Sequence, residues 1–227
     1  MEALYSELKK MAVNFRIRPG ERINEAELAK KLNASRTPLR EALNRLVAEQ
    51  LISSQPGKGF FCRELDVRTI YELYELRATL EEAAIRRACE RATDDEIERL
   101  KNGEYAAGLA HEGLTIGETT AADEAFHLAV ARLGKNDEAA NLLNLINERI
   151  RFIRWIDMSK RVKQTKSEHR LIMEALEARD IERAGELMRN HIFRRMDQIV
   201  TVVREGYSSI YVAGPDELFS RRFGEGD

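Results

Sequence analysis

The stretch Ser35-Arg36-Thr37-Pro38-Leu39-Arg40-Glu41-Ala42-Leu43-Asn44-Arg45-Leu46 decides how the first part of the chain folds. It has the features of a helix start, because Thr37 can cap the helix and Pro38 fits its first position, where a missing N–H costs nothing. Apolar residues then recur at helical spacing and predict one buried face, which consists of Leu39, Ala42, Leu43 and Leu46.

Three arginines of this stretch, Arg36, Arg40 and Arg45, lie largely outside the predicted buried face. A short helix that exposes arginines suits insertion into the DNA major groove, where Arg can donate two hydrogen bonds to guanine. The alternative is an ordinary solvated helix surface, and for Arg45 taken alone the two interpretations weigh equally.

The flanking segments complete a winged helix-turn-helix. A shorter helix with a capping-box-like start begins at Asn24-Glu25-Ala26-Glu27, and a short turn joins it to the second helix. Two strand-like runs at residues 51–55 and 60–63 then surround Pro56-Gly57-Lys58-Gly59, which predicts a hairpin with Lys58 at its tip. This order is that of a recognition helix followed by a wing.

The charge distribution supports a DNA-binding first part. The net charge of the 227 residues is −2, but residues 1–65 hold 12 Lys/Arg against 8 Asp/Glu, and the remainder hold 25 against 31. This asymmetry is expected when only the first part meets phosphate. No apolar run approaches the roughly 20 residues of a membrane-spanning helix, and no signal-peptide pattern opens the chain. With Cys62 and Cys89 as reduced thiols, we expect a cytoplasmic protein without a membrane partner.

The remaining chain has the periodicity of helices almost throughout, so we expect a mainly α protein. Between residues 67 and 205 the apolar positions predict an antiparallel bundle of about six helices, at residues 67–92, 93–111, 119–133, 137–159, 162–178 and 181–205. We therefore expect three segments, which are a winged helix-turn-helix domain (1–65), an all-helical domain (66–205) and a C-terminal tail without clear periodicity (206–227).

Three of the four histidines are placed as metal ligands would be. Asp123 and His127 are four residues apart and share a helix face. His169 and His191 lie about ten residues before and about eleven after the predicted turn at residues 179–180, so in an antiparallel hairpin each stands roughly 16 Å from the turn. Three imidazoles and one carboxylate suit zinc first, and also nickel, manganese or iron, with positions left open for water or a ligand. Taken singly, each histidine has the features of an ordinary core or surface residue.

Residues 4–65 resemble the winged helix-turn-helix of GntR-type bacterial transcription regulators. The resemblance rests on Arg18-Pro19-Gly20-Glu21-Arg22-Ile23-Asn24-Glu25, on Leu28-Ala29, and on residues 35–43 and 56–59. It implies a bacterial, nucleoid-associated regulator. The sequence-specific contacts to operator DNA would come from Ser35, Arg36, Thr37, Arg40 and Gly59. We also expect Arg45 and Lys58 to contact DNA, because Arg45 lies on the predicted recognition helix and Lys58 at the tip of the predicted wing. Some members carry a further DNA-contacting arginine where this chain has Ala26, so the resemblance implies that this contact is missing.

The helical part resembles the FCD domain, the effector domain attached to many GntR regulators. Asp123-Glu124-Ala125-Phe126-His127 matches the Asp-x-x-Phe-His segment of its metal-binding members, and His169 and His191 match their two later histidines. The resemblance therefore implies a divalent metal on Asp123, His127, His169 and His191, and an arginine at Arg77 that faces the ligand cavity. The count of six helices points to the VanR-like branch.

A small organic acid is the effector that these residues predict. Arg77, with Arg151 and Arg154 as weaker candidates, can hold one carboxylate oxygen while another binds the metal. A surface position on the long helix is the alternative for Arg77. We expect a homodimer on near-palindromic operator DNA, and the resemblance implies repression that the effector relieves.

Two other functions are compatible with the sequence. A metal-dependent hydrolase with a DNA-binding appendage would use the open metal positions. However, Glu124 and Glu168 adjoin ligands in the sequence, and neighbours on a helix point about 100° apart, so no general base is evident and we expect no enzyme activity. A regulator that senses the metal itself is the third interpretation. His111 lies outside the ligand set and is expected at the surface.

Overall fold

The structure is a computed structural model that describes residues 2–105, 114–196 and 198–212. Its first part contains helices α1 (Glu2–Val13), α2 (Glu25–Lys31) and α3 (Arg36–Ala48) and an antiparallel hairpin of β1 (Ile52–Gln55) and β2 (Gly59–Cys62). Six helices follow in the described chain, namely α4 (Val67–Arg91), α5 (Asp94–Leu100), α6 (Ile116–Leu133), α7 (Asp137–Glu177), α8 (Ile181–Met196) and α9 (Ile199–Val212). The chain is kinked at Lys101–Tyr105, where the backbone of Gly103 is not helical. The predicted mainly α fold is confirmed. Among the described helices, none is both long and apolar enough to cross a membrane.

Helix α3 buries the apolar face that the sequence predicts, and its buried residues are Leu39, Ala42, Leu43 and Leu46. The start of the helix differs from the prediction. Arg36 is already helical and the extended Ser35 is the N-cap residue, so the assignment of Thr37 as the cap was wrong. Pro38 is tolerated at the third helical position, because the N–H groups of the first turn have no acceptor inside the helix.

The hairpin of β1 and β2 forms the predicted wing. Gln55 pairs with Gly59, and the φ values of Gly57 and Gly59 are +73° and +94°, which glycine adopts without steric cost. On its other edge, β2 is bridged by Arg22, which pairs with Phe61. This bridge fixes the segment before α2 beside the wing.

Helix α7 is one continuous helix of 41 residues where the sequence pattern predicts two. The predicted break at residues 159–162 was therefore wrong. Residues 137–177 contain neither Gly nor Pro, so the backbone needs no break there. Met158 and Thr165, which flank the polar run, are buried. The charged residues between them form the solvated side of a helix rather than a loop.

The last predicted helix, 181–205, is instead divided between α8 and α9, so its assignment as one helix was wrong. The prediction that an irregular tail begins at Gly206 was also wrong for residues 206–212, which belong to α9. A Cβ on Gly206 would lie 3.1 Å from the side chains of both Phe152 and Ile156, so glycine allows α9 to approach α7 closely. The rest of the predicted tail, residues 213–227, lies outside the described residues.

Helix boundaries also shift earlier in the bundle. Helix α5 ends at Leu100, and the remainder of the predicted helix at 106–111, which includes His111, lies outside the described residues. Helix α6 begins at Ile116, three residues before the prediction, because Thr115 and Glu118 form a reciprocal capping box.

Gly134 ends α6 at the point where it meets α4. A Cβ at this position would lie 2.8 Å from the carbonyl oxygen of Ala84. Backbone cannot move aside as the end of a flexible side chain can, so we expect Gly134→Ala to lower the free energy of unfolding by about 1–3 kcal/mol. Urea denaturation followed by circular dichroism measures the change, and an unchanged midpoint would contradict this close packing.

Candidate metal centre and nucleic-acid interface

Three helices of the bundle bring four candidate metal ligands together in its interior. Asp123 and His127 come from α6, His169 from α7 and His191 from α8. All four are buried, and one ligand atom from each lies within 4.8 Å of the others. The Nε2 atoms of His127 and His191 are 3.3 Å apart, and Nε2 of His169 is 3.3 Å from Oδ1 of Asp123. The geometry thus unites the whole set of ligands predicted from the sequence.

The separations and the chemistry of the donors fit a divalent ion. Two ligand atoms that are each about 2.1 Å from one ion lie about 3–3.4 Å apart at adjacent positions of an octahedron or tetrahedron. Burial lowers the pKa of His127 despite the nearby Glu81, which favours the neutral imidazole that a metal requires. Three nitrogens and one oxygen suit zinc, nickel, manganese or iron.

Two glutamates orient the imidazoles from outside the ligand set. Glu81 of α4 contacts Nδ1 of His127, and Glu168 of α7 lies 2.6 Å from Nδ1 of His191. Each contact leaves Nε2 directed at the cluster, as in carboxylate–histidine–metal arrangements. Burial would raise the pKa of Glu81, but the charge of Arg77 and the hydrogen bond with His127 outweigh it and lower the pKa to about 2. Glu81 is therefore an ionised acceptor.

Sequence reasoning missed both of these glutamates. Glu81 lies 46 residues before His127 on a different helix, and no spacing rule connects the two. Glu81 follows Arg77 by four residues on a predicted helix, and this spacing could have indicated an ion pair between the two. Glu168 was considered only as a catalytic base, whereas it faces His191 across the hairpin.

The three arginines predicted to bind an effector have different surroundings. Arg77 is completely buried, so the alternative of a surface position was wrong. Its Nε donates to Glu81 at 2.5 Å, while Nη1 and Nη2 have no hydrogen-bond acceptor within the described chain. Arg154 is also completely buried and donates to Asp123, whereas the partly exposed Arg151 is held by Glu124. Arg77 is thus the arginine with two desolvated donors to spare.

The second candidate site is the exposed surface of α3 and the wing. Five of the predicted DNA contacts are exposed there, namely Ser35, Arg36, Thr37, Arg40 and Lys58, and Gly59 is half-buried at the start of β2. A cleft of about 520 Å³ beside α3 is lined by Arg22, Ile23, Asn24, Glu25, Ala26, Arg36 and Arg40. A neighbouring cleft of about 380 Å³ runs from Arg22 and Arg40 to the wing tip.

Arg22 and Arg45 are placed differently from what the sequence suggests. Arg22, which sequence reasoning passed over because it precedes α2, lines both clefts, and its side chain has no ion pair within the described residues. Arg45 instead donates to Glu2 at 2.7 Å and lies 3.7 Å over the ring of Tyr5. Its guanidinium therefore packs on α1 rather than beside Arg40.

Comparison with known proteins agrees with this architecture. Residues 1–62 match the family of bacterial regulatory proteins called gntR, and residues 72–194 match the FCD domain. The Nta operon transcriptional regulator of Aminobacter aminovorans is 43% identical over 206 residues, which cover 91% of this chain and 97% of that protein. The uncharacterized HTH-type transcriptional regulator YdhC of Bacillus subtilis (strain 168) is 31% identical, over 89% of this chain and 92% of that protein.

A solved structure shares the fold. McbR/YncC of E. coli superposes with a TM-score of 0.66 at 22% identity, over 90% of this chain and 97% of that one. Assignment to the VanR-like branch stays a prediction. The FCD domain alone covers more than half of the chain, and the first part matches the DNA-binding family almost from end to end. The chain therefore belongs to the GntR family of bacterial regulatory proteins and carries an FCD domain.

Proposed function

We propose that this DNA-binding transcription regulator is a repressor that releases its operator when a small, metal-chelating carboxylate binds in the helical domain. Arg77 carries this proposal, because its two spare guanidinium donors are completely buried next to the cluster of histidines. Glu81 pairs with the charge of Arg77, but each buried donor left without an acceptor still costs about 1–3 kcal/mol, so the site favours a further acceptor such as a carboxylate. The metal, held by Asp123, His127, His169 and His191, would supply an open position for one carboxylate oxygen.

The charge balance around the cluster supports an anionic ligand. Three arginines face four carboxylates there, namely Arg77, Arg151 and Arg154 against Glu81, Asp123, Glu124 and Glu168. A divalent ion changes the net charge of this group from −1 to +1. One carboxylate then restores neutrality, with one oxygen at the metal and the other in the fork of Arg77.

For the operator, we propose that residues 1–65 make the DNA contacts. Arg36 and Arg40 point to base recognition in the major groove, while Ser35, Thr37, Lys58 and Gly59 suit the phosphate backbone. Arg22 lies in the same cleft as Ala26, so its side chain takes the place of the arginine that other members carry there. We assign Arg45, which packs on α1, a minor part in DNA binding.

We propose a homodimer, with residues 66–205 and the remainder of α9 as the effector and dimerisation domain. One recognition helix reads only a few base pairs, whereas a two-fold dimer places two helices in successive major grooves, about 34 Å apart. A near-palindromic operator follows from that symmetry. Sedimentation equilibrium of the full chain, alone and with operator DNA, measures the stoichiometry.

Helix α7 connects the two sites physically. Within about two turns of this helix, Arg154 contacts Asp123 of the cluster and Glu148 forms an ion pair of 2.7 Å with Lys9 of α1. A ligand that shifts α7 therefore changes the position of the DNA-binding part relative to the bundle. A coupling of only about 1–3 kcal/mol changes operator affinity five- to 150-fold.

The test is operator release by chelating acids. With metal bound, we expect citrate or malonate to weaken operator binding, measured by fluorescence anisotropy on a duplex selected from random sequence, by about five- to 150-fold. At a metal concentration that saturates both proteins, Arg77→Gln should bind operator as the wild type does, yet lose most of the response. Acetate, which cannot chelate, is the matched ligand control.

An equal response of wild type and Arg77→Gln to the acids would contradict the proposal. Operator affinity that follows the metal alone, with no effect of any acid, would make the protein a metal sensor instead. The hydrolase alternative gains no support from the site, because Glu124 is held by Arg151 and Glu168 by His191.

A further inference from the structure

A cleft of about 590 Å³ lies between the winged part and the helical domain, and none of the four candidate metal ligands lines it. The strands of the wing and the end of α3 form one wall, and the start of α4 with one residue of α7 forms the other. Its lining combines apolar side chains with hydroxyl and amide groups, among them Ile52, Phe61, Leu73, Ser53, Thr69 and Gln50. The size is that of a site for a small molecule.

Arg149 of α7 lies half-buried in this cleft. Its guanidinium has neither a hydrogen-bond acceptor nor an ion-pair partner among residues 2–105, 114–196 and 198–212. Its neighbours on the same helix are engaged, since Glu148 pairs with Lys9 and Arg151 with a carboxylate of α6. Burial lowers the pKa of Arg149, so its charged form is destabilised here unless an anion accompanies it.

A second arginine adds positive charge to the same place. The guanidinium of Arg63 donates to four backbone carbonyls, the closest being that of Ala12 at 2.7 Å and the one on α7 being that of Arg149 at 3.3 Å. Burial first, and then the charge of Arg149, lower the pKa of Arg63 to about 10. No carboxylate of the described chain forms an ion pair with either arginine.

Two acidic residues also line the cleft and balance the formal charge of its two arginines, but neither of them pairs with Arg149. The carboxylate of Asp66 accepts hydrogen bonds from the N–H of Thr69 at 2.7 Å and from its hydroxyl at 2.8 Å, and so caps α4. Glu64 is exposed and forms no ion pair with Arg149. Arg149 is therefore the charged group of the cleft that has no partner in the described chain.

We propose that this cleft is a second ligand site, which binds a small organic anion through Arg149. A carboxylate or a phosphate group accepts hydrogen bonds from the guanidinium, and an aromatic or aliphatic body packs against the apolar wall of Ile52, Phe61 and Leu73. Because the walls belong to both parts of the chain, the ligand fixes their relative position. The consequence for operator binding rests on the proposed function, whereas binding in the cleft does not.

Isothermal titration of the full chain with three probes of one shape tests the site. The probes are benzoate, phenyl phosphate and the neutral benzamide, and the metal is removed first so that the anions have no ion to bind. We expect both anions to bind wild type about tenfold or more tightly than benzamide, and the tighter of the two identifies the preferred anionic group. Arg149→Gln should weaken anion binding about tenfold or more, and Arg149→Lys should retain most of it.

His169→Ala separates this site from the metal centre. Unchanged anion binding in His169→Ala, together with loss in Arg149→Gln, supports a second site whether or not an effector acts at the metal. Equal binding of benzoate by wild type and Arg149→Gln, or no binding of either anion by the wild type, would overturn the proposal. Since the side chain of Arg149 has no partner in the described chain, Arg149→Gln should unfold at the wild-type temperature, which checks that the variant is folded.

Discussion

Replacing His169 by alanine is expected to abolish metal binding, so that purified wild-type protein carries about one divalent ion per chain and the variant carries none. His169 provides one of only three nitrogens in the cluster, and its Nε2 lies 3.3 Å from the Asp123 carboxylate on the neighbouring helix. Without it, the remaining nitrogens come from His127 and His191. Elemental analysis of the full chain by mass spectrometry measures the metal content.

Thermal unfolding gives the same result a second readout. A metal at 100 times its dissociation constant adds about 2.7 kcal/mol to the free energy of unfolding, so adding metal should stabilise the wild type but not His169→Ala.

Glu168→Gln keeps all four ligands but weakens the hydrogen-bond acceptor at Nδ1 of His191. We expect this variant to bind the metal about 10–100-fold more weakly than the wild type. A graded loss of this kind distinguishes ligands from the residues that orient them.

His111→Ala is the matched control, because it removes the histidine that lies outside the predicted ligand set. It should retain the wild-type metal content. If His169→Ala also retains it, or if the wild type takes up no metal even after soaking, the three histidines are packing residues. In that case the effector proposal loses its anchor, while the assignment of the DNA-binding part is unaffected.

The winged helix-turn-helix was predictable because its signals are local. The apolar positions of α3, the glycines of the wing turn and the capping Asn24 each act within a few residues. Even there, the cap of α3 was misplaced by two residues, because Ser35 and Thr37 are chemically equivalent candidates.

In the bundle, the polar run at residues 159–164 resembles a loop in composition. It remains helical because it contains neither Gly nor Pro and because Met158 and Thr165 on either side of it are buried. An ion pair of 2.6 Å between Lys160 and Glu205 adds a long-range contact.

The four clustered residues were predictable, but their surroundings were not. The i,i+4 spacing of Asp123 and His127 and the hairpin register of His169 and His191 need only helix geometry, and the rings of the latter pair are 4.9 Å apart. The approach of Glu81 depends on how α4 packs against α6, which no local pattern encodes. Pairings of this kind emerge only when the bundle is assembled.

Replacing Arg40 by alanine is expected to cost about 1–3 kcal/mol of operator binding and to relax the base preference at one position of each half-site. In the free protein the side chain of Arg40 is 59% exposed and has a long contact of 3.6 Å with Glu25. It therefore gives up little when it turns to a guanine edge. Binding to a set of duplexes with single base changes, at constant salt, measures both effects.

Three further variants distinguish base contacts from other roles of positive charge. Lys58→Ala at the wing tip should weaken all duplexes alike and reduce the slope of log affinity against log salt by about 1. Arg45→Ala is the control on the same helix, and because its guanidinium is bound to Glu2 and Tyr5, it should leave the base preference unchanged. Arg22→Ala should weaken operator binding, because we propose that Arg22 contacts the DNA. An Arg40→Ala variant with wild-type affinity and preference would refute the assignment of α3 as the recognition helix.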